Sequence, residues 1–281
     1  MAKAQGIIGN FKGKIGNTVG YQLTSSNNKQ TQGIRIYQPN VKNPKTSAQA
    51  EQRAKLAPIN ATYRALKMII DRGNEGLPYG NKSRLAWLKQ AFKAQIMPWF
   101  KKGDVVTYPV VCQISKGSLS GPEYDWNPDG VEVVMGTVTT STTISDMGAL
   151  SQAFMANYPG LKEGDQVTFV FIGSRNGVLD STVFSFIIDP LSTDPVDDYF
   201  MGITAEDGKL LVESDITNAA CGIIVSREGA NGAHLRSNAF LLLGTDVRTA
   251  APYDADSKTA AIESYMASGA ANTDWAEESI D

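Results

Sequence analysis

The chain has 281 residues, 42% hydrophobic and 20% charged, the composition of a folded soluble protein with room for two ordinary domains. Its net charge of −3 hides a split: residues 1–103 carry 18 Lys and Arg against Glu51, Asp71 and Glu75, a net of +15, and the remainder carries 8 against 26 acids, a net of −18. The apolar runs, such as Val167–Ile172 and Phe240–Leu243, are strand-sized, which excludes a helical membrane span, and the opening Met1–Gly6 leads into only Ile7 and Ile8 before Gly9, so no secretory leader is expected.

Residues 1–38 read as a basic extended arm or hairpin. Gly6, Gly9, Gly13, Gly16, Gly20 and Gly33 recur through polar sequence with few apolar residues. Thr18–Leu23 alternates in part, and Gly33–Tyr37 reads as a short strand with Ile34 and Ile36 on one face, with a turn signal at Ser25–Asn28 between them. Such a segment suits strand addition to another chain, or ordering on a partner. Pro39 and Pro44 then hold the chain extended, and Thr46 with Gln49 fits a helix capping box. A helix is predicted from Ala48 to about Asp71, kinked or split by Pro58. After the loop at 74–80, a second helix runs from about Asn81 or Ser83 to Gln95, with Leu85, Leu88, Phe92 and Ile96 as its apolar stripe and Trp87 and Ala91 beside it. Residues 39–103 are thus a helical pair.

Residues 104–250 change to strand sequence. Val105–Ser115, Val131–Val138, Thr139–Ile144, Gln166–Ile172, Ser181–Ile188, Lys209–Val212, Cys221–Arg227 and Ala239–Leu243 read as strands, and Met147–Asn157 as a short helix or turn. Asn176–Gly177 is a strong hairpin turn. This spacing predicts a β-sandwich-like domain. Residues 251–281 read as an acidic C-terminal helix, over about 255–269, and a tail from Asn272. The expected fold class is α+β: an N-terminal extended arm and helical hairpin followed by a β-sandwich-like domain.

Motifs that carry chemistry are sparse. His234, the one histidine, falls in a loop beside the turn pair Asn231–Gly232, a poor start for a catalytic triad. Cys112 and Cys221 lack metal-binding spacing and read as buried thiols. The acidic groups at 194–198 and 254–256 do not match a calcium loop, and Gly13–Gly16 lacks phosphate-loop spacing. No catalytic, cofactor or metal residue is therefore assigned. Cations interleave with aromatics through the basic half, among them Tyr21, Tyr37, Arg64, Trp87, Trp99, Lys101 and Lys102, a pattern used by single-strand nucleic-acid binders. Trp87 and Trp99 read more simply as helix-packing residues. The interaction residues expected are Lys12, Lys14, Arg35, Lys42, Lys45 and Arg53.

Gly13-Lys14-Ile15-Gly16-Asn17-Thr18-Val19-Gly20, then Ile34-Arg35, then Val41-Lys42-Asn43-Pro44-Lys45-Thr46-Ser47-Ala48-Gln49 and Gln52-Arg53, resembles an uncharacterised family of Bacteroidota and their phages, including crAss-like phages. Leu161–Val167 and Val225–Arg227 look similar to the β-rich region of that family. A polar Gln22–Asn28 departs from its pattern. The resemblance implies no activity and no catalytic residues. It implies a phage setting and a non-enzymatic part. Combined with the charge split, the lack of an expected leader and the lack of active-site constellations, the expectation is a virion structural protein made in the host cytoplasm, such as a ring, collar or tail-connector subunit. Its expected partners are acidic neighbouring virion proteins (portal, adjacent ring or tail subunits) and further copies of itself. A nucleic-acid binder and a surface β-module for adhesion are the alternatives.

Overall fold

The computed structural model describes residues 13–24, 30–37, 46–136, 144–229, 232–249 and 252–267. Lys12, Lys42, Lys45, the Pro39–Pro44 connector, most of Thr139–Ile144, the Asn231 turn residue and the tail from Asn272 lie outside these residues. The chain divides into two compact units, residues 1–45 and 46–281.

The N-terminal unit holds a three-stranded antiparallel meander, β1 (Gly13–Ile15), β2 (Thr18–Thr24) and β3 (Gln30–Ile36), in the order β1-β2-β3. Its register aligns Lys14, Val19 and Arg35 in one row and Ile15, Thr18 and Ile36 in the next. Neighbouring rows point to opposite faces.

The second unit is α+β with a β-rich body. Helix α1 (Ser47–Ala65) starts where expected: the Gln49 amide donates to the Thr46 hydroxyl at 3.3 Å. The reciprocal half of the capping box is not made, and Gln49 Oε1 is buried without a partner. Pro58 sits buried inside α1, and the break comes eight residues later, at Leu66, before the short α2 (Lys67–Ile70). Helix α3 (Asn81–Ala91) corrects the predicted stripe. It buries Ser83, Trp87 and Ala91, while Leu85 is exposed. Ser83 is held inward by its hydroxyl, which donates to the Ile70 carbonyl at 2.7 Å and accepts from the Asn74 amide. A small, satisfied polar residue thus takes the position that the size of Leu85 would have claimed.

The body has two main sheets. Strands β5 (Tyr124–Asn127), β6 (Gly130–Val134), β9 (Ile203–Glu206) and β10 (Lys209–Glu213) form a sheet in the order β5-β6-β10-β9. Strands β7 (Gln166–Arg175), β8 (Val178–Ile187), β11 (Thr217–Glu228) and β12 (His234–Arg236) form another, in the order β12-β11-β7-β8, with β14 (Leu242–Leu243) also on β11. A two-stranded ladder joins β4 (Gln113–Ser115) to β13 (Ala239–Phe240). Val131, Val133, Leu210 and Val212 of the first sheet share a core with Val167, Phe169, Phe171, Ile223 and Val225 of the second, as in a sandwich. Helix α4 (Met147–Asn157) adds Leu150 and Phe154 to it, capped by Asp146, which accepts the Ala149 amide at 2.7 Å.

The opposite face of the five-stranded sheet is also covered. Val170, Ile172, Ala220 and Ile224 pack with Ile59, Leu66, Ile70, Trp87 and Ala91 of the helices. This is why Val167–Ile172 is apolar without alternation: β7 is central and buried on both faces. The β7–β8 turn places Asn176 at φ 52° and Gly177 at φ 76°, the left-handed pair that a tight hairpin needs. Val105–Ser115 is strand only at its end; upstream, the Val110 amide is satisfied by the Thr62 hydroxyl at 2.9 Å and the Pro109 carbonyl by Tyr253. Near the C-terminus, α5 (Thr245–Thr249) is followed by α6 (Ala255–Ala267), which returns to α1 and buries Ala261.

Candidate interaction surfaces

The N-terminal meander has two unlike faces. On one, Lys14 and Arg35 flank Val19, and Lys14 Nζ lies 3.7 Å above the Tyr37 ring, a cation–π contact. Tyr21 lies on this face too, opposite Gly33, where a Cβ would meet the Tyr21 ring at 2.5 Å. The glycine lets the ring lie on the backbone. On the other face Ile15, Ile34 and Ile36 are 61%, 45% and 77% exposed. Three uncovered isoleucines on a sheet this small make an unusual surface, because burial of such side chains is what normally stabilises a sheet (about 1.5–3 kcal/mol each when complete).

Of the six expected interaction residues, the structure thus brings Lys14 and Arg35 onto one face. Arg53 stands in the other unit, exposed on α1. It lines a groove of about 340 Å³ with Leu56, Asn60, Lys102 and Tyr265. Lys12, Lys42 and Lys45 lie outside the described residues.

The other cation–aromatic pairs are structural. Trp87 and Trp99 are 2% and 9% exposed and belong to the helical core. Lys55 and Lys258 both approach the Trp99 ring, at 5.9 and 5.2 Å, and both pair with Glu51, at 3.0 and 3.3 Å. The Lys55 bond leads in holding the Glu51 carboxyl below its ordinary range. This cluster clasps α6 to α1. Arg84 covers Tyr63 at 4.5 Å in the same way.

Residues weighed for chemistry take ordinary places. His234 begins β12, exposed, with its ring 5.6 Å from Tyr79. Cys112 and Cys221 are buried thiols, and burial pushes Cys112 up to about 12. Asp254 caps α6, accepting the Ser257 amide at 2.6 Å, and Asp194 accepts the Tyr199 hydroxyl at 3.1 Å. Among the described residues, no group of three or more His, Cys, Asp or Glu is placed to hold a metal, and no helix is long and apolar enough to cross a membrane.

Two features escaped the sequence. Asp165, 1% exposed, accepts two bonds from Arg227, at 2.6 and 2.7 Å, tying together the Leu161–Val167 and Val225–Arg227 segments that carried part of the resemblance. The second is the outer edge of β8, where Val183 and Ile187 are exposed. Alternation in Ser181–Ile188 identifies the strand, but only the strand order identifies it as an edge. Searches of this chain against protein-family models, curated proteins and solved structures return no match.

Proposed function

We propose that the chain is a virion structural protein, a ring, collar or tail-connector subunit of a phage infecting Bacteroidota, that assembles through its basic N-terminal half. One observation carries the assembly part of this reading. The N-terminal residues fold as a unit of their own with a bare isoleucine face and a cationic opposite face, a surface that is stabilised by being covered. The charge split supports it, since +15 in residues 1–103 against −18 in the rest favours docking on acidic neighbours. The phage setting rests on the resemblance of the 13–20, 34–35 and 41–53 segments. Quantitative mass spectrometry of purified particles tests it: the chain should be present at a fixed stoichiometry to the portal, and its absence from particles would sink the reading.

A second reading, nucleic-acid binding, is favoured by Lys14, Arg35, Tyr21 and Tyr37 sharing one sheet face. It requires binding to single-stranded DNA that weakens steeply with salt, and Lys14→Ala or Arg35→Ala should each lower the salt slope by about one.

A further inference from the structure

Among the described residues, β3 ends the N-terminal meander and β8 ends the five-stranded sheet, so each presents a strand edge. In the meander, the Tyr37 amide donates to the Asn17 carbonyl at 2.6 Å, which fixes the ladder. Odd-numbered residues of β3 turn their backbone groups toward β2, and Ile34 and Ile36 turn theirs outward. Strand β8 is an edge of the five-stranded sheet, with β12 at the other end. There the Ile188 amide donates toward β7, to the Asp165 carbonyl, and the Leu179 amide donates away from it, to Val106. Odd-numbered residues of β8 therefore face outward. Its first part is sealed, by Val106 at Leu179 and by the Asp180 carboxylate, which accepts the Ser181 amide at 2.8 Å. From Val183 to Ile187 nothing among the described residues seals it. The stretch Val183-Phe184-Ser185-Phe186-Ile187 carries no Lys, Pro or bulge, the usual protections of an edge.

We propose that β3 of one copy adds antiparallel to the Val183–Ile187 edge of β8 in a second copy, joining the chains head to tail. The inference rests on the reading of the N-terminal unit as the assembly element and names its partner. In antiparallel addition outward-facing residues oppose one another and their side chains share a face. Ile34 and Ile36 then extend the row of Val183 and Ile187, which are 42% and 62% exposed, so the apolar side chains of the two copies become cross-strand neighbours on one face. Arg35 falls on the opposite face, with Phe184 and Phe186. A cavity of about 410 Å³ at that end of β8 is lined by Phe186 and Met147 together with the carboxylates of Asp189 and Asp194. The cationic face of one copy thus lies toward acids of the next, and the charge split favours a second copy as the occupant. A head-to-tail contact closes into a ring or runs on as a filament.

Complementation of full-length variants tests this by light scattering. Ser185→Pro removes an outward amide that the fold does not use, and Ile187→Lys charges the same edge; whichever keeps the wild-type melting transition serves as the edge variant. Ile34→Lys/Ile36→Lys disables the donor strand. The wild-type chain should run at a multiple of 30.2 kDa, and each variant alone at 30.2 kDa. Mixed, they should form a dimer and stop there, because only one intact edge and one intact strand remain to meet. A monomeric wild-type chain overturns both this pairing and self-assembly through the N-terminal unit. If the isoleucine variant disperses while both edge variants stay assembled, the N-terminal unit remains the assembly element and β8 is overturned as its acceptor.

Discussion

Asp165 and Glu75 each tie together segments far apart in the sequence, in different ways. Asp165 is 1% exposed and holds Arg227 by two bonds while its other contact, the Lys162 amide at 2.8 Å, closes the turn before β7. Removing it leaves a guanidinium partly buried beside the Gly160 carbonyl, which it also contacts at 2.8 Å. A fully buried pair broken on one side costs about 3–5 kcal/mol, and Arg227 keeps 21% exposure, so Asp165→Ala should lower urea stability by about 2–3 kcal/mol. Glu75 works differently. Its carboxylate accepts the Ser118 amide at 2.9 Å and the Arg236 amide at 3.1 Å, tying the loop after α2 to the far end of the chain. The Ser118 amide bond leads in holding its pKa below the ordinary 4.5. A lowered carboxylate stabilises the fold fully above its unfolded value and ceases to as pH falls through the lowered native value. Glu75→Gln should therefore melt below the wild type at neutral pH, and the gap should close as pH drops below 4.5. A gap constant down through that range would show that the charge of Glu75 is irrelevant.

At the scale of elements, what was legible in the sequence was what is local. Thr46 caps α1 because a hydroxyl three residues before an amide needs nothing else, and Thr46→Ala should cost about 1 kcal/mol in thermal or urea unfolding. Asn176–Gly177 is legible for the same reason, since few other residues accept two consecutive left-handed conformations. What failed depended on distant partners. In α3, Leu85 outweighs Ser83 in any hydrophobic pattern, yet the inward position goes to the residue whose hydroxyl meets Ile70. Residues 105–112 looked like strand, but Thr62 and Tyr253 take the backbone bonds that a neighbouring strand would have taken. Of the candidate surface, the cations were legible by position, and the pairing of Ile34 with Ile36 by alternation. Ile15 joins them only through the register of β1 on β2, and the bare edge of β8 only through the strand order.

For the whole molecule, the opposite charges of the two parts of the sequence act on a different quantity from the isoleucines. Long-range attraction raises the rate of encounter, whereas backbone bonds and apolar contact made after docking set how long the pair lasts. At about 0.01 M salt the Debye length is about 30 Å, so fields of +15 and −18 reach well beyond contact; at about 0.15 M it is about 8 Å, and only neighbouring charges feel each other. Mixing the edge variant with Ile34→Lys/Ile36→Lys isolates a single interface, which makes its kinetics readable, although the added lysines raise the donor's charge and so steepen its salt response. The apt donor for the rate is therefore Ile34→Ala/Ile36→Ala, which removes the apolar cover without adding charge. Between those two salt concentrations its association rate with the edge variant should fall by on the order of tenfold, with dissociation nearly unchanged. Arg35→Ala added to the edge variant, whose β3 makes the surviving interface, should reduce that salt response, because in the proposed join it removes the cation nearest Asp189 and Asp194. An association rate indifferent to salt would mean that the charge split plays no part in bringing copies together, and that the acidic surface is simply solvated.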